Sequence, residues 1–504
     1  MSILCRWQRL AFRRQVHNSW KAPIEDTYTS NTMGSLIVLK RLVKFSLVGL
    51  FAVGVTAWTA FEGVHMWVEK VELSREEDEE TRKWEWDREV ENWSGGGAGG
   101  TDSALGFMGR HAVRGAWIAQ NWGTGSGTTV IGPSIYRGRG AAGSGSLGVV
   151  DSRLHYAQDF LSIAISTAEK KSSSGTLRPT TLAELLSRHA NVLERMGSPN
   201  ALSESRSQYE RAWATLPGQG INSARVALKL GDLNHRLGDN NDALAWWARA
   251  IQLTNGENYS AANIPPVVPQ KAPSSPLSQR TLTSTLVSLS AFYATSGQLS
   301  QAQTIEEASL DLLRSIRAPE SRTSSSPPEA LHALYLLHRS SLISIHLGEV
   351  LFALRQPSNT SIQWLTTAAQ SSERVALALI GSPTTYPDSE SKLPLPPSPE
   401  TPLLSVYSKS RSMSKPARSL LRNARRSAAE SWSLLGILNE KADGSRPEKV
   451  LECYERALRW VGVEPDKMGG NWVPGEGILE SEWKTLWANY VRARDTVRDQ
   501  VKGS

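Results

Sequence analysis

Few residues of this chain are spaced for chemistry. Gly138, Gly140 and Gly143 complete a literal GxGxxG, the spacing that lets backbone amides approach a pyrophosphate. They lie in a Gly/Ser-rich tract without a strand–turn–helix context, so the match reads as chance. No GxxxxGK[ST], HExxH or GxSxG occurs. The nine histidines include no i, i+4 pair that would set two imidazoles on one helix face for a metal. Carboxylates are often neighbours, but nothing gathers two into a shared apolar site, as general acid–base work requires. Cys5 and Cys453 are too far apart in sequence to read as a disulfide framework or a metal site. The expectation is a protein that is not an enzyme, with no catalytic residue, no metal ligand and no cofactor.

The sequence instead arranges a membrane span and a set of helices. Phe45 to Phe61 runs without a charge. With Leu42, Val43 and a snorkelling Lys44 the run reaches about 20 residues. At about 1.5 Å per residue it matches the roughly 30 Å hydrocarbon core of a bilayer. The candidate span and its flanks occupy 36–66, behind a basic leader at 1–35. The first 24 residues of that leader carry Arg6, Arg9, Arg13, Arg14 and Lys21 and no acid. Ile3, Leu4, Trp7, Leu10 and Ala11 recur at helical spacing on one side. This is the composition of a mitochondrial presequence; a basic cytosolic tail ahead of a signal anchor is the alternative.

Charge then sets orientation. Basic residues dominate before Phe45, whereas Glu62, Glu69, Glu72, Glu76, Glu77, Asp78, Glu79 and Glu80 follow Phe61. The basic flank stays on the negative side. That predicts the mitochondrial inner membrane, with the N-terminus in the matrix and the C-terminal mass in the intermembrane space. Trp58 and Trp67 fall where aromatic rings prefer the interface. The net charge of +7 is modest and much of it lies in the leader. No basic stripe with interleaved aromatics suggests a nucleic-acid partner.

Beyond the span, 67–93 reads as one charged juxtamembrane helix bearing Trp84, Trp86 and Trp93, either a solvated surface or a partner contact through its tryptophans. Residues 94–150 read as a flexible Gly/Ser linker with a short helix at Ala112–Trp122. Residues 151–504 read as a helical array. Its interruptions at 264–279, 318–328, 382–402 and 408–416 are expected to be disordered surface loops.

The clearest repeating unit is Arg225 to Gln252. Leu230 and Gly231 lie in a first helix, Gly238 in the turn, and Ala243, Trp247 and Ala250 in a second, matching the tetratricopeptide spacing. Gly231 and Ala243 are small where helices cross, and Trp247 fills the gap beside them. Leu182–Met196 with Ala201–Thr215, Leu282–Ser296 with Leu299–Ser315, and His338–Gln356 with Ser361–Leu379 repeat the form. Trp432, Leu435 and Gly436 with Val450, Tyr454 and Ala457 repeat it again, with about two extra residues in the turn. Ser152–Lys170 would open the array and Trp483–Gln500 would cap it. The fold class expected is therefore all-α: one N-terminal transmembrane helix, then a tetratricopeptide-like α-solenoid with disordered insertions. An unrelated helical bundle is the alternative. Stacked helix pairs offer a groove for peptides or partner helices, and Arg225, Asp232, His235 and Arg236 are its candidate partner-binding residues.

A presequence-like leader, one span followed by Glu62 and His65-Met66-Trp67-Val68-Glu69, and a tetratricopeptide array together resemble a fungal family: the adaptor subunit of the mitochondrial i-AAA protease supercomplex. The resemblance implies a non-catalytic role in protein quality control. Such an adaptor binds unfolded or misassembled membrane proteins and presents them to an AAA metalloprotease, which supplies the metal and ATP. An assembly factor for a respiratory-chain complex has the same topology. An outer-membrane import receptor is a further alternative, for which Lys229, Asn234 and Arg236 would supply part of a basic clamp.

Overall fold

The computed structural model describes residues 25–89, 92–123, 128–130, 149–173, 175–256, 266–316, 325–382, 396–398, 400–442, 446–463 and 480–503. Most of the basic leader and the Gly138 motif lie outside these residues. The chain divides into two units, Met1–Met66 and Trp67–Ser504.

The first unit is built on one long helix, α1 (Glu25–Trp67). Its large apolar side chains point outward all round: Leu47, Leu50, Phe51 and Val53 are between 62% and 74% exposed. Thr56 and Thr59 turn their hydroxyls back onto the carbonyls of Ala52 and Val55, at 2.8 and 2.7 Å. Among the described residues no helix registers as long and apolar enough to cross a membrane.

The second unit opens with a π-helical turn, Val68–Glu72, and two short helices, α2 (Glu79–Lys83) and α3 (Trp86–Glu89). Helix pairs follow: α4 (Gly106–Trp122) with α5 (Ser152–Ser172), α6 (Thr181–Met196) with α7 (Pro199–Thr215), and α8 (Gly220–Leu237) with α9 (Asn240–Thr254). Next come α10 (Pro276–Thr295) with α11 (Leu299–Ser315) and α12 (Pro327–Ala353) with α13 (Ser358–Ile380). After α14 (Ser405–Ser408), α15 (Arg411–Lys441) pairs with α16 (Pro447–Val461), and α17 (Glu480–Gly503) packs on α16. A small antiparallel ribbon, β1 (Thr128–Val130) with β2 (Val149–Asp151), leads into α5. Each pair packs on the next. Because α10 touches both α8 and α12, and α12 touches α15, the first helices of successive pairs share one side of the stack. The all-α, solenoid-like architecture is as expected.

Local sequence sets the helix ends. Ser198, Ser275 and Ser410 accept the amides of Ala201, Ser278 and Met413 at 3.2, 3.3 and 3.2 Å, each satisfying an orphan donor of the first turn. Pro199 and Pro276 occupy the position where a missing N–H costs nothing. Gly238, at φ +91°, closes α8 with its own amide on His235 and the Asp239 amide on Asn234.

The repeat spacing has a direct physical basis. A Cβ on Gly231 would fall 2.4 Å from Trp247 Cδ1, and one on Gly436 would fall 2.6 Å from Tyr454 Cε1. Both glycines let an aromatic from the paired helix lie on bare backbone. Leu230, Ala243, Ala250 and Ala457 are fully buried around these crossings. Gly348 serves the α12–α13 crossing, with Leu365 Cγ 3.0 Å from where its Cβ would stand. Trp432 has a different duty. Its Nε1–H donates to Glu373 at 2.8 Å, and the same buried carboxylate accepts Trp460 Nε1–H at 2.6 Å and Arg456 Nε–H and Nη2–H at 2.6 and 2.8 Å. One carboxylate thereby joins α13, α15 and α16.

Three segment expectations need correction. Residues 67–93 do not form one helix, because the chain turns through a π turn and two short helices held from outside. Residues 94–123 are not a linker: α4 buries Val113, Ala116 and Trp117 against α5, so the array starts before 151. Residues 408–416 are not a loop, since Ser410 caps α15 and Pro416, one turn in, removes only one backbone bond. Likewise 266–275 is described up to the α10 cap, whereas 317–324 and 383–395 lie outside the described residues.

Gly231→Ala should cost about 1–3 kcal/mol of stability by overpacking Trp247. Urea unfolding of the purified chain measures it, and an unchanged midpoint would show that the crossing does not need bare backbone.

Candidate functional site

Between the π turn and α4 the described residues 73–89 and 92–100 lie on the first-helix side of the array as a strap. Its two ends meet: Ser74 bridges Gly99, and the Gly100 amide donates to the Leu73 carbonyl at 2.5 Å. Gly99, at φ +72°, comes so close that a Cβ would sit 2.4 Å from the Arg75 nitrogen. The glycines read as flexible instead close a tight joint. At the root, buried Glu69 accepts the Thr101 amide at 2.9 Å, the Thr101 hydroxyl at 2.8 Å and Arg110 Nη2–H at 3.1 Å.

The middle of the strap is pinned by Arg280 of α10. This buried guanidinium donates Nε–H to Glu89 at 2.9 Å, Nη1–H to the Trp84 carbonyl at 3.2 Å and Nη2–H to the Glu85 carbonyl at 3.0 Å. It also stacks 4.0 Å from the ring centroid of Trp86. Trp86 is fully buried and donates Nε1–H to the Pro328 carbonyl at 2.9 Å. A further Nη1–H of Arg280 reaches His332 Nδ1 at 3.2 Å. Arginine only donates, so Nδ1 must be bare, and His332 presents Nε2–H to Gln279 at 2.8 Å. Burial, with Arg280 adding to it, pushes the His332 pKa down to about 3. Glu85 and Ser94 adopt φ +54° and +69°, left-handed values that non-glycine residues hold only when surroundings impose them. Glu85 is held because its carboxylate caps α10 through the Leu277 amide, at 3.0 Å, and the Ser275 hydroxyl.

Arginine contacts to main chain recur along the strap. Arg225 of α8 donates to the carbonyls of Arg88 and Glu89, at 2.7 and 3.2 Å. At the root of the strap Arg411 of α15 donates to Val71 O of the π turn at 2.7 Å, and Arg178, just before α6, donates to Gly95 O. Arg188 of α6 lies 4.3 Å from the Trp93 ring centroid. Backbone carbonyls and aromatic faces carry little sequence information, so this surface holds the turns and short helices of the strap chiefly by main chain and rings. A cavity of about 1410 Å³ remains between the strap and α6, α8, α12 and α15.

Of the four candidate groove residues, Arg225 alone contacts the strap. Asp232 accepts Trp247 Nε1–H at 3.1 Å inside its own helix pair, and burial raises its pKa. His235 stacks toward Phe292, 5.3 Å between centroids, and faces Asn240. Arg236 pairs with Glu194 at 3.2 Å. Asp232 and Arg236, seven and eleven positions on, share the Arg225 side of α8 but stand about two and three turns further along it, where they meet Trp247 and Glu194, whereas His235 is rotated toward Phe292. Sequence reasoning missed Arg178, Arg188, Arg280 and Arg411. Their available signal was an acidic, Trp-bearing segment beside an array whose first helices carry arginines.

Other displaced titrations lie both on the cavity wall, at Glu184, Arg188, His338 and Lys415, and away from it. Among the described residues no group of three or more His, Cys, Asp or Glu is placed to hold a metal. His338 is pushed down to about 3, chiefly by burial. Glu306 of α11 is fully buried, accepts the Ser290 hydroxyl at 2.8 Å, and is raised to about 7 by burial.

No family model matches the chain, and no curated protein matches it. A crystal structure of BtubC (BKLC) from P. vanneervenii is similar at 14% sequence identity. The match covers 59% of this chain and 100% of that one, with a TM-score of 0.31, a likeness too weak to carry an argument.

Two outcomes are expected. Arg280→Ala should cost about 3 kcal/mol and speed tryptic cleavage at Arg82, Lys83 and Arg88; an unaltered cleavage rate would show that the strap is held elsewhere. For Glu306, the folded state keeps a proton that the unfolded chain has released above pH 4.5. Its stabilising contribution is complete below that pH and lost as pH rises through about 7. Glu306→Gln should therefore raise the thermal midpoint at pH 8, with a smaller gain at pH 5. Equal gains at both would contradict the shift.

Proposed function

We propose that the chain is a non-catalytic, membrane-anchored adaptor of tetratricopeptide type, which binds polypeptides on the first-helix side of its array. One observation carries the binding part: that side already holds a segment of turns and short helices through arginine-to-carbonyl bonds from Arg178, Arg225, Arg280 and Arg411. A surface that reads main chain suits clients that share no sequence. The tetratricopeptide assignment is supported by the Gly231–Trp247 and Gly436–Tyr454 crossings, the first at the repeat spacing and the second two residues longer in its turn.

The anchor is α1. A helix that is apolar all round belongs inside a core or a bilayer, and the outward-facing residues of Phe45–Phe61 have no core around them. Mean hydropathy counts Thr56 and Thr59 as polar, yet their hydroxyls are satisfied on their own helix, the arrangement threonine adopts in lipid. The basic leader and the acidic exit support the inner mitochondrial membrane, with the array in the intermembrane space. There the clients would be unfolded or misassembled membrane proteins, and the partner an ATP-driven AAA metalloprotease. A tethered surface of fixed sidedness raises client concentration beside that protease.

Fractionation and affinity purification from mitochondria test this reading. The chain should resist carbonate extraction, be digested only after outer-membrane rupture, and co-purify with an AAA metalloprotease. Release as a soluble protein, or recovery of a single respiratory complex in place of the protease, would overturn it.

A further inference from the structure

The walls of the 1410 Å³ cavity carry opposite charge. The array side presents Arg188, Arg225, Lys229, Arg339, Lys415 and Arg418 against one carboxylate, Glu184, whereas the strap and its root present Glu72, Glu76, Asp87 and Glu89 with only two cations, Arg75 and Arg88. The cations outnumber what the strap neutralises. Arg225 spends its donors on carbonyls, Arg339 on the Tyr335 hydroxyl and Lys415 on the Asn121 side-chain oxygen, at 2.8 Å for the last two. Among the described residues neither these three nor Arg418 has an ion pair. Arg339 Nε is buried without a hydrogen bond. Glu89, the acid nearest Arg225 and Arg339, is already held by Arg280 at 2.9 Å. Partial desolvation by the cavity wall, with Arg188 and Arg195 adding to it, lowers the Lys415 pKa even though its side chain keeps contact with solvent, and Glu72 opposes them only in part.

We propose that this cavity binds an acidic polypeptide segment, Asp- and Glu-rich with an aromatic residue, running alongside the strap; the inference rests on the polypeptide-binding reading above. The strap shows the chemistry that the surface accepts: carboxylates at Arg280 and Ser412, tryptophans under Arg280 and Arg188, and carbonyls at Arg225. The occupant joins the strap and does not replace it, because withdrawing fully buried Trp86 would open the core that α12 and α15 share. The cavity exceeds the roughly 300–1,000 Å³ of small-molecule sites, so it admits a length of chain. Carbonyl-directed arginines favour a peptide over a nucleic acid, whose contacts would be phosphates.

Fluorescence anisotropy on the purified full chain in detergent tests the assignment. The probe is a labelled dodecapeptide alternating Glu and Ala around a central Trp. It should bind with salt-sensitive affinity, the Gln-for-Glu peptide should bind at least about ten-fold more weakly, and Lys415→Ala/Arg418→Ala should weaken the acidic probe about ten-fold. Both substituted residues are exposed, so an unchanged thermal midpoint confirms that the variant is folded. No binding of the acidic probe, equal binding of the neutral peptide, equal binding by the double variant, or tighter binding of an oligouridylate of matching charge would each overturn the proposal. If the acidic probe fails while the chain still co-purifies with the protease, this inference alone falls; the reverse result leaves it standing and removes the adaptor reading.

Discussion

The Arg280 guanidinium is the constraint on which the functional face depends. It gathers one carboxylate, two carbonyls, one imidazole and one indole face around a single buried cation. A buried cation is costly unless its donors are used, and here four of its five N–H groups have partners. The arrangement fixes the strap at its midpoint, selects the His332 tautomer and holds the Glu85 carbonyl. Remove the guanidinium and each of those groups loses the reason for its position. Lysine, with a point charge and no planar fork, could not meet the same set.

A similar economy governs the C-terminal pairs. Glu373 has no exposure and four hydrogen bonds from three side chains on two neighbouring helices. Such a node makes α13, α15 and α16 mutually dependent, because separating any one strands a charge in the interior. The glycine crossings do the complementary work in the apolar parts of the stack. Gly231 and Gly436 admit a ring where any side chain would collide, so each pair closes in one register.

How much of this was legible in the sequence follows from which interactions are local. Helix pairs were readable because their signals repeat within one unit: Gly238 at a turn, Gly231 sixteen residues before Trp247, Ser198 ahead of Pro199. Gly348 escaped notice because its partner is Leu365, where the pattern led attention to Trp364. The strap was not legible. Its conformation is set by residues such as Arg280 and Arg411, which lie far along the chain, and composition alone made 67–93 resemble a solvated helix. Glycine carries two meanings, freedom and close approach, and Gly95, Gly99 and Gly100 were read as the first when the crossing of the chain on itself makes them the second. Arg225 was found and Arg280 was not, because only the α8 unit matched the repeat well enough to assign faces.

The Glu69 clasp has a mechanical consequence. Any tension entering the second unit from the N-terminal side arrives first at Val68–Glu72, where Glu69 is tied to Thr101 and Arg110 across more than thirty residues of sequence. The Ser74–Gly99 bridge lies just beyond. Force therefore passes from the π turn straight into α4 and bypasses the intervening chain, much as a buckle relieves the slack it encloses. The strap can stay slack and correctly seated while its root is pulled.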